Sequence, residues 1–187
     1  MRQRRGWNFG IGDAAMKSIA QVLRWVDSAG PYEVLSLALQ MEQGAVRCYT
    51  AMATAARRRL TKAKFRYLAE EEREHARLVA QSRKNLERPA KTRKIPPSLS
   101  EVRGTADGSN PEAAVRLAIR AEQESEALYK RCAERCSGEA IRQLFTRMAE
   151  QESRHATALK DELGELRGEF SWRSIEGTPP AEEHFWA

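Results

Sequence analysis

The chain has little glycine (11 in 187 residues) and no run of alternating apolar and polar residues long enough for a strand. That excludes a β-rich architecture, because such folds need repeated alternation punctuated by turn residues. Cysteine is scarce as well: three residues, with no Cys-x-x-Cys pair, exclude a disulfide framework, a rubredoxin-type site and a zinc-ribbon knuckle. Cys132 and Cys136, one helical turn apart, read as small core residues. No stretch approaches the roughly 18 uninterrupted apolar residues of a membrane span, so no integral membrane segment is expected. The start, MRQRRGWNFG, lacks the compact apolar run of a secretory signal, and a soluble, cytoplasmic protein is expected; an organelle transit peptide, which an arginine-rich start without an acid before Asp13 would suit, is the minor alternative. Aromatic residues are few (7%), and none interleaves with the basic clusters Arg57-Arg58-Arg59 and Arg83 to Lys94. The net charge of +6 therefore comes without a stacking platform, and no nucleic-acid partner is expected.

Alanine, glutamate, arginine and leucine are abundant and point to an all-α protein. Two stretches repeat 80 positions apart. Leu37 to Ala53 aligns with Leu117 to Ala133, and Phe65 to Val79 aligns with Phe145 to Leu159. The matched positions include Glu42 with Glu122, Glu72-x-x-His75 with Glu152-x-x-His155, and Tyr49 with Tyr129. The chain has only three histidines, and the repeat uses two of them; His184 belongs to no such pattern and is expected to be exposed.

Pro31 opens a long helix whose apolar positions Leu35, Ala38, Met41, Ala45, Cys48 and Met52 keep helical spacing, with Glu42 and Tyr49 inside the stripe. Thr61 is the expected N-cap of a second helix, with the stripe Phe65, Leu68, Ala69, Ala76 and Val79 interrupted only by Glu72 and His75. From about Asn85 to Asn110 the composition changes to Pro, Lys, Ser and Gly. A helix of about 25 residues is about 37 Å long, and an extended connection of roughly 26 residues can span it. Asn110 and Pro111 are expected to start a third helix reaching about Cys136, and Ser137-Gly138 to separate it from a fourth, about Glu139 to Leu166. Short turn, long crossover, short turn predicts a ferritin-like four-helix bundle of two helical hairpins. An additional amphipathic N-terminal helix, about Asp13 to Ser28, is expected to dock on protein through Ile19, Val22, Leu23 and Val26. The expected organisation is an N-terminal extension over residues 1–30, the bundle over 31–166, and a tail over 167–187 whose Phe170, Trp172, Phe185 and Trp186 pack on the bundle or meet a partner.

Residues three apart share a helix face, so each Glu-x-x-His offers an oxygen and a nitrogen to one point. One glutamate from each of two helices and one Glu-x-x-His from each of two others make a two-metal site. Glu72 and Glu152 are assigned as bridging carboxylates, Glu42 and Glu122 as terminal ones, and His75 and His155 as the caps of one metal each. Four carboxylates balance two divalent cations. Oxygen-rich ligation with two imidazoles suits iron, or manganese at one or both positions, better than a structural zinc. Tyr49 and Tyr129 are candidates to hydrogen-bond the liganding carboxylates.

On these residues, from about Pro31 to Leu166, the chain resembles the ferritin-like superfamily and most of all its rubrerythrin-type branch. The resemblance implies a di-iron centre, often in a homodimer, that reacts with hydrogen peroxide or dioxygen. The departures are Ser125, where rubrerythrins usually carry a further glutamate, and the lack of a rubredoxin module, so electrons are expected from an external donor. The near symmetry of the halves resembles the symerythrin type, and Glu42 to Tyr49 is similar to the first metal motif of demethoxyubiquinone hydroxylases. The expected function is an oxidoreductase reducing peroxide or dioxygen. The alternatives are ferroxidase and iron-handling activity, or oxygenation of an organic substrate.

Overall fold

A computed structural model of the chain describes residues 11–95 and 111–168. Among the described residues there are five helices and no strands: α1 (Ile11–Val26), α2 (Pro31–Ala55), α3 (Arg59–Lys84), α4 (Pro111–Arg135) and α5 (Glu139–Arg167). The short links at 56–58 and 136–138 fold α2 onto α3 and α4 onto α5 as two hairpins, and the connection after α3 carries the chain from one hairpin to the other. This is the ferritin-like arrangement expected from the sequence.

Local chemistry fixes the helix ends. Pro31 occupies the first turn of α2, where its missing N–H costs nothing, and the Glu33 carboxylate accepts the Gly30 N–H at 2.8 Å. The same carboxylate accepts the Arg93 N–H at 2.5 Å, so the start of the crossover is tied to the start of α2. Helix α5 stops at Gly168, whose φ of 71° is a conformation that glycine adopts without steric cost. Thr61 is not an N-cap. Helix α3 begins earlier, at Arg59 with Arg58 as N-cap, and Thr61 is buried with its hydroxyl donated to Glu162 of α5 at 2.5 Å. The helix was extended by packing against α5 that local capping preferences do not register.

Helix α1 lies on the bundle. Val22 and Val26 are buried in the same cluster as Leu35, Leu128 and Phe145, and Arg131 of α4 donates to Asp27 at 2.7 Å. No helix among the described residues is long and apolar enough to cross a membrane. The expectations for the aromatic tail, for His184 and for Asn110 as a cap lie outside the described residues.

Two apolar clusters fill the bundle at different heights. One contains Leu35, Met41, Val79, Leu128, Phe145 and Met148; the other contains Ala45, Met52, Phe65, Leu68, Val115 and Leu159. Each fully buried Leu or Phe contributes about 1.5–3 kcal/mol, so these clusters supply the main stabilisation. Along every helix of the two hairpins, the boundary between them falls where the repeat carries its glutamates and histidines: Glu42 stands between Met41 and Ala45, and Glu152 between Met148 and Leu159. The polar layer is thus sealed above and below by apolar side chains.

Candidate metal centre

Each of the four bundle helices contributes to this layer at a position its apolar stripe forces inward. Glu42, Glu72, Glu122, Glu152 and His75 are each no more than 2% exposed, and His155 is 6% exposed. Their oxygen and nitrogen atoms form two overlapping quartets. Glu42, Glu72, His75 and Glu152 bring one atom apiece within 4.8 Å of one another, and so do Glu72, Glu122, Glu152 and His155. Glu72 and Glu152 belong to both groups.

The imidazoles face the carboxylates through Nδ1. His75 Nδ1 lies 3.2 Å from Glu72, 3.4 Å from Glu152 and 3.5 Å from Glu42. His155 Nδ1 lies 3.3 Å from Glu72, 3.7 Å from Glu152 and 3.9 Å from Glu122. The two rings stand 5.8 Å apart, centroid to centroid, at 23°. The sequence repeat has become a two-fold layout, with one quartet for each half.

The tyrosines cross between the halves. Tyr49 of α2 donates its phenol proton to Glu122 of α4, and Tyr129 of α4 donates to Glu42 of α2. Tyr49 stacks on Phe65 and Tyr129 on Phe145, at centroid distances of 6.1 and 5.7 Å, so each phenol is held by a ring from its own hairpin. Helical periodicity placed both tyrosines on the correct stripe. The partner in the other hairpin is a tertiary result that no spacing within one helix encodes.

The electrostatics are those of a site short of positive charge. Burial, then the neighbouring charge of Glu72, pushes Glu42 well above the usual carboxylate range. Burial and then Glu152 do the same to Glu122. Burial also acts to raise Glu72 and Glu152, but the neighbouring Glu42 or Glu122 and the two imidazoles that face them outweigh it and hold those two low. His75 is raised against the pull of burial by Glu152, Glu42 and Glu72. His155 is pushed up to about 9 by Glu152 and Glu72. Protons on these groups and divalent cations are two alternative ways of balancing four buried carboxylates.

The donor set fits such cations. Glu42 Oε2, Glu72 Oε1, Glu152 Oε1 and His155 Nδ1 are buried without a hydrogen-bond partner, and all four point into the quartets. Buried polar atoms are rarely left in that condition, and four converging on one layer is the arrangement expected around ions. Oxygen donors with one imidazole per quartet suit iron or manganese.

Sequence reasoning missed two other buried carboxylates, Glu33 and Glu162. The repeat could not reveal Glu162, because its counterpart 80 positions earlier is Ser82. Glu33 had a signal, an acid three residues after Gly30 at a helix start. Ser125, at the place of the further glutamate, is buried and 4% exposed. Cys132 is buried, Cys48 and Cys136 are partly buried, and no disulfide joins any of the three.

A family model described as Rubrerythrin matches residues 33–103 and 113–181 of this chain. A hypothetical protein from Pyrococcus furiosus has a similar structure, with a TM-score of 0.61 and 23% identity over 76% of this chain and 94% of that one. An uncharacterized conserved protein from Magnetospirillum magnetotacticum MS-1 gives a TM-score of 0.57 and 22% identity over 73% of this chain and 95% of that one. At these identities the two structures speak for the fold alone. No curated protein matches the chain.

Proposed function

The chain belongs to the rubrerythrin family, and from that premise we propose that it is a di-iron oxidoreductase that reduces hydrogen peroxide or dioxygen with electrons from an external donor. The observation that carries this reading is the pair of overlapping quartets with Glu72 and Glu152 in common. Glu72 and Glu152 would bridge two ions, Glu42 and His75 would complete one position, and Glu122 and His155 the other. Iron is the proposed metal, with manganese able to take the same oxygen-rich positions.

When bound, two ferrous ions supply a pair of electrons to an O–O bond. The rest is done by the chain. Tyr49 and Tyr129 each hold one oxygen of a terminal carboxylate and leave the other turned toward the quartet. The apolar clusters close the layer from above and below, so that the carboxylates depend on protons or cations for neutrality. The phenols and imidazoles keep exchangeable protons beside the place where reduced oxygen would need them.

A small oxidant is favoured over an organic substrate by the cavity beside His155. Its volume of about 250 Å³ falls below the roughly 300–1,000 Å³ of a typical organic-ligand pocket. The deciding experiment adds peroxide and a reductant to iron-loaded protein. Repeated turnover with iron cycling between ferrous and ferric states supports the oxidase and peroxidase reading. Consumption of two ferrous ions per peroxide without cycling would replace it by ferroxidation, and product formation only with an organic substrate would replace it by oxygenation. We further propose a homodimer as the working assembly in the cytoplasm, which sedimentation and fractionation would test.

A further inference from the structure

The two halves of the centre are built from one repeated pattern, and their surroundings differ. His75 is 1% exposed, whereas His155, at the equivalent position, is 6% exposed and forms one wall of a cavity of about 250 Å³ between α3 and α5. That volume has room for several waters. The cavity reaches the surface at Tyr67, which is 37% exposed, and at Arg154.

The repeat explains why the cavity lies on this side. Ala158 lines it, and the equivalent residue beside His75 is Leu78, which packs against the neighbouring apolar cluster. Lys64 lines it as well, and its equivalent is Leu144, buried in that same cluster. The space taken by two leucines near His75 is replaced near His155 by a methyl group and a charged chain. Lys64 is drawn aside onto Glu162 at 2.6 Å and Glu165 at 3.3 Å, so its charge is met and its length does not fill the cavity. The His155 ring is the partition: it lines the cavity while its Nδ1 lies 3.3 Å from Glu72 on the side of the quartet.

Resting on the two-metal reading above, we propose that this cavity is the solvent doorway of the centre and makes its two metal positions kinetically unequal. A divalent ion in the position completed by Glu122 and His155 exchanges with solvent through the doorway. An ion in the position completed by Glu42 and His75 is sealed and leaves only when the helices open locally. A small oxidant would reach the His155 side first for the same reason.

The test is metal release from protein loaded with cobalt(II) to saturation, mixed with excess EDTA and followed by the visible absorption of the bound ion. Wild-type protein is expected to release its metal in two phases of equal amplitude. Ala158→Leu, which copies the sealed half, should slow the fast phase by about tenfold or more, because release then waits on local opening. Leu78→Ala, which copies the open half, should accelerate the slow phase and leave the fast one alone. A single phase, or a fast phase indifferent to Ala158→Leu together with a slow phase indifferent to Leu78→Ala, overturns the doorway while leaving two bound metals intact. Saturation at fewer than two ions per chain overturns the two-metal reading and the doorway with it.

Discussion

Among the described residues the protein buries six glutamates and provides for them in two different ways. Glu33 accepts two backbone N–H groups, from Gly30 and Arg93, and Glu162 receives the Thr61 hydroxyl and the Lys64 ammonium. Those two are supplied with donors by the fold itself. Glu42, Glu72, Glu122 and Glu152 have two phenols, two imidazoles and one another, with no lysine or arginine recorded among their partners. An uncompensated buried carboxylate costs several kcal/mol, so the central group is tolerable only with protons or with cations. Burial of acidic side chains therefore says little about metals. What distinguishes the centre is four carboxylates gathered in one layer with neither backbone N–H groups nor a lysine or arginine among their partners.

The largest expected effect breaks this contrast outright. Glu72→Ala or Glu152→Ala removes a carboxylate common to both quartets, and metal content should fall from about two ions per chain to less than one, measured by elemental analysis after loading and desalting. Glu162→Gln and Glu33→Gln remove acids that are also buried and should leave metal content unchanged. Loss of metal in either control would erase the distinction between the two groups.

Removing the metal comes next in size. Ligands that bind only the folded state stabilise it by about 2.7 kcal/mol at a hundredfold excess over Kd. Chelation should therefore lower the melting temperature by roughly 5–10 °C, read by circular dichroism. The same treatment of Glu72→Ala should change nothing.

How much of this was readable beforehand depends on the residue. The all-helical bundle, its two hairpins and the docking of α1 followed from periodicity and from the contrast between short and long connections. The inward direction of Glu42, Glu72, His75, Glu122, Glu152 and His155 followed from their place in apolar stripes, because a helix cannot bury its neighbours without burying them. Partner identity did not follow. That Tyr49 reaches Glu122, or that Thr61 serves Glu162 across 101 residues, depends on how two hairpins meet. The cavity beside His155 was equally hidden. It arises from the sizes of Ala158 and Leu78, which sit outside the matched metal-type residues.

Smaller effects sharpen the contrast. Tyr49→Phe or Tyr129→Phe leaves one terminal carboxylate without its donor, and metal affinity should fall by about tenfold, measured by competition with a chelator of known strength. The double variant should lose about the product of the two, since each phenol serves a different quartet.

The smallest effect concerns Glu33. Its carboxyl is held below the ordinary value of 4.5 by the Arg93 and Gly30 N–H groups. A group with a depressed folded-state pKa contributes stability above its unfolded pKa and loses it as pH falls through the folded one. The melting-temperature difference between wild type and Glu33→Gln should therefore be full at neutral pH and shrink below about pH 4.5. A difference that stays constant down to pH 3 would mean that the charge of Glu33 is not what ties the crossover to α2.

The most direct test is the equilibrium metal content of the wild-type chain. Protein loaded anaerobically with ferrous iron and desalted should retain about two iron ions per chain, as expected of paired Glu-x-x-His helices with two further glutamates. One tightly held zinc per chain, or no retained metal under any loading condition, would contradict the account.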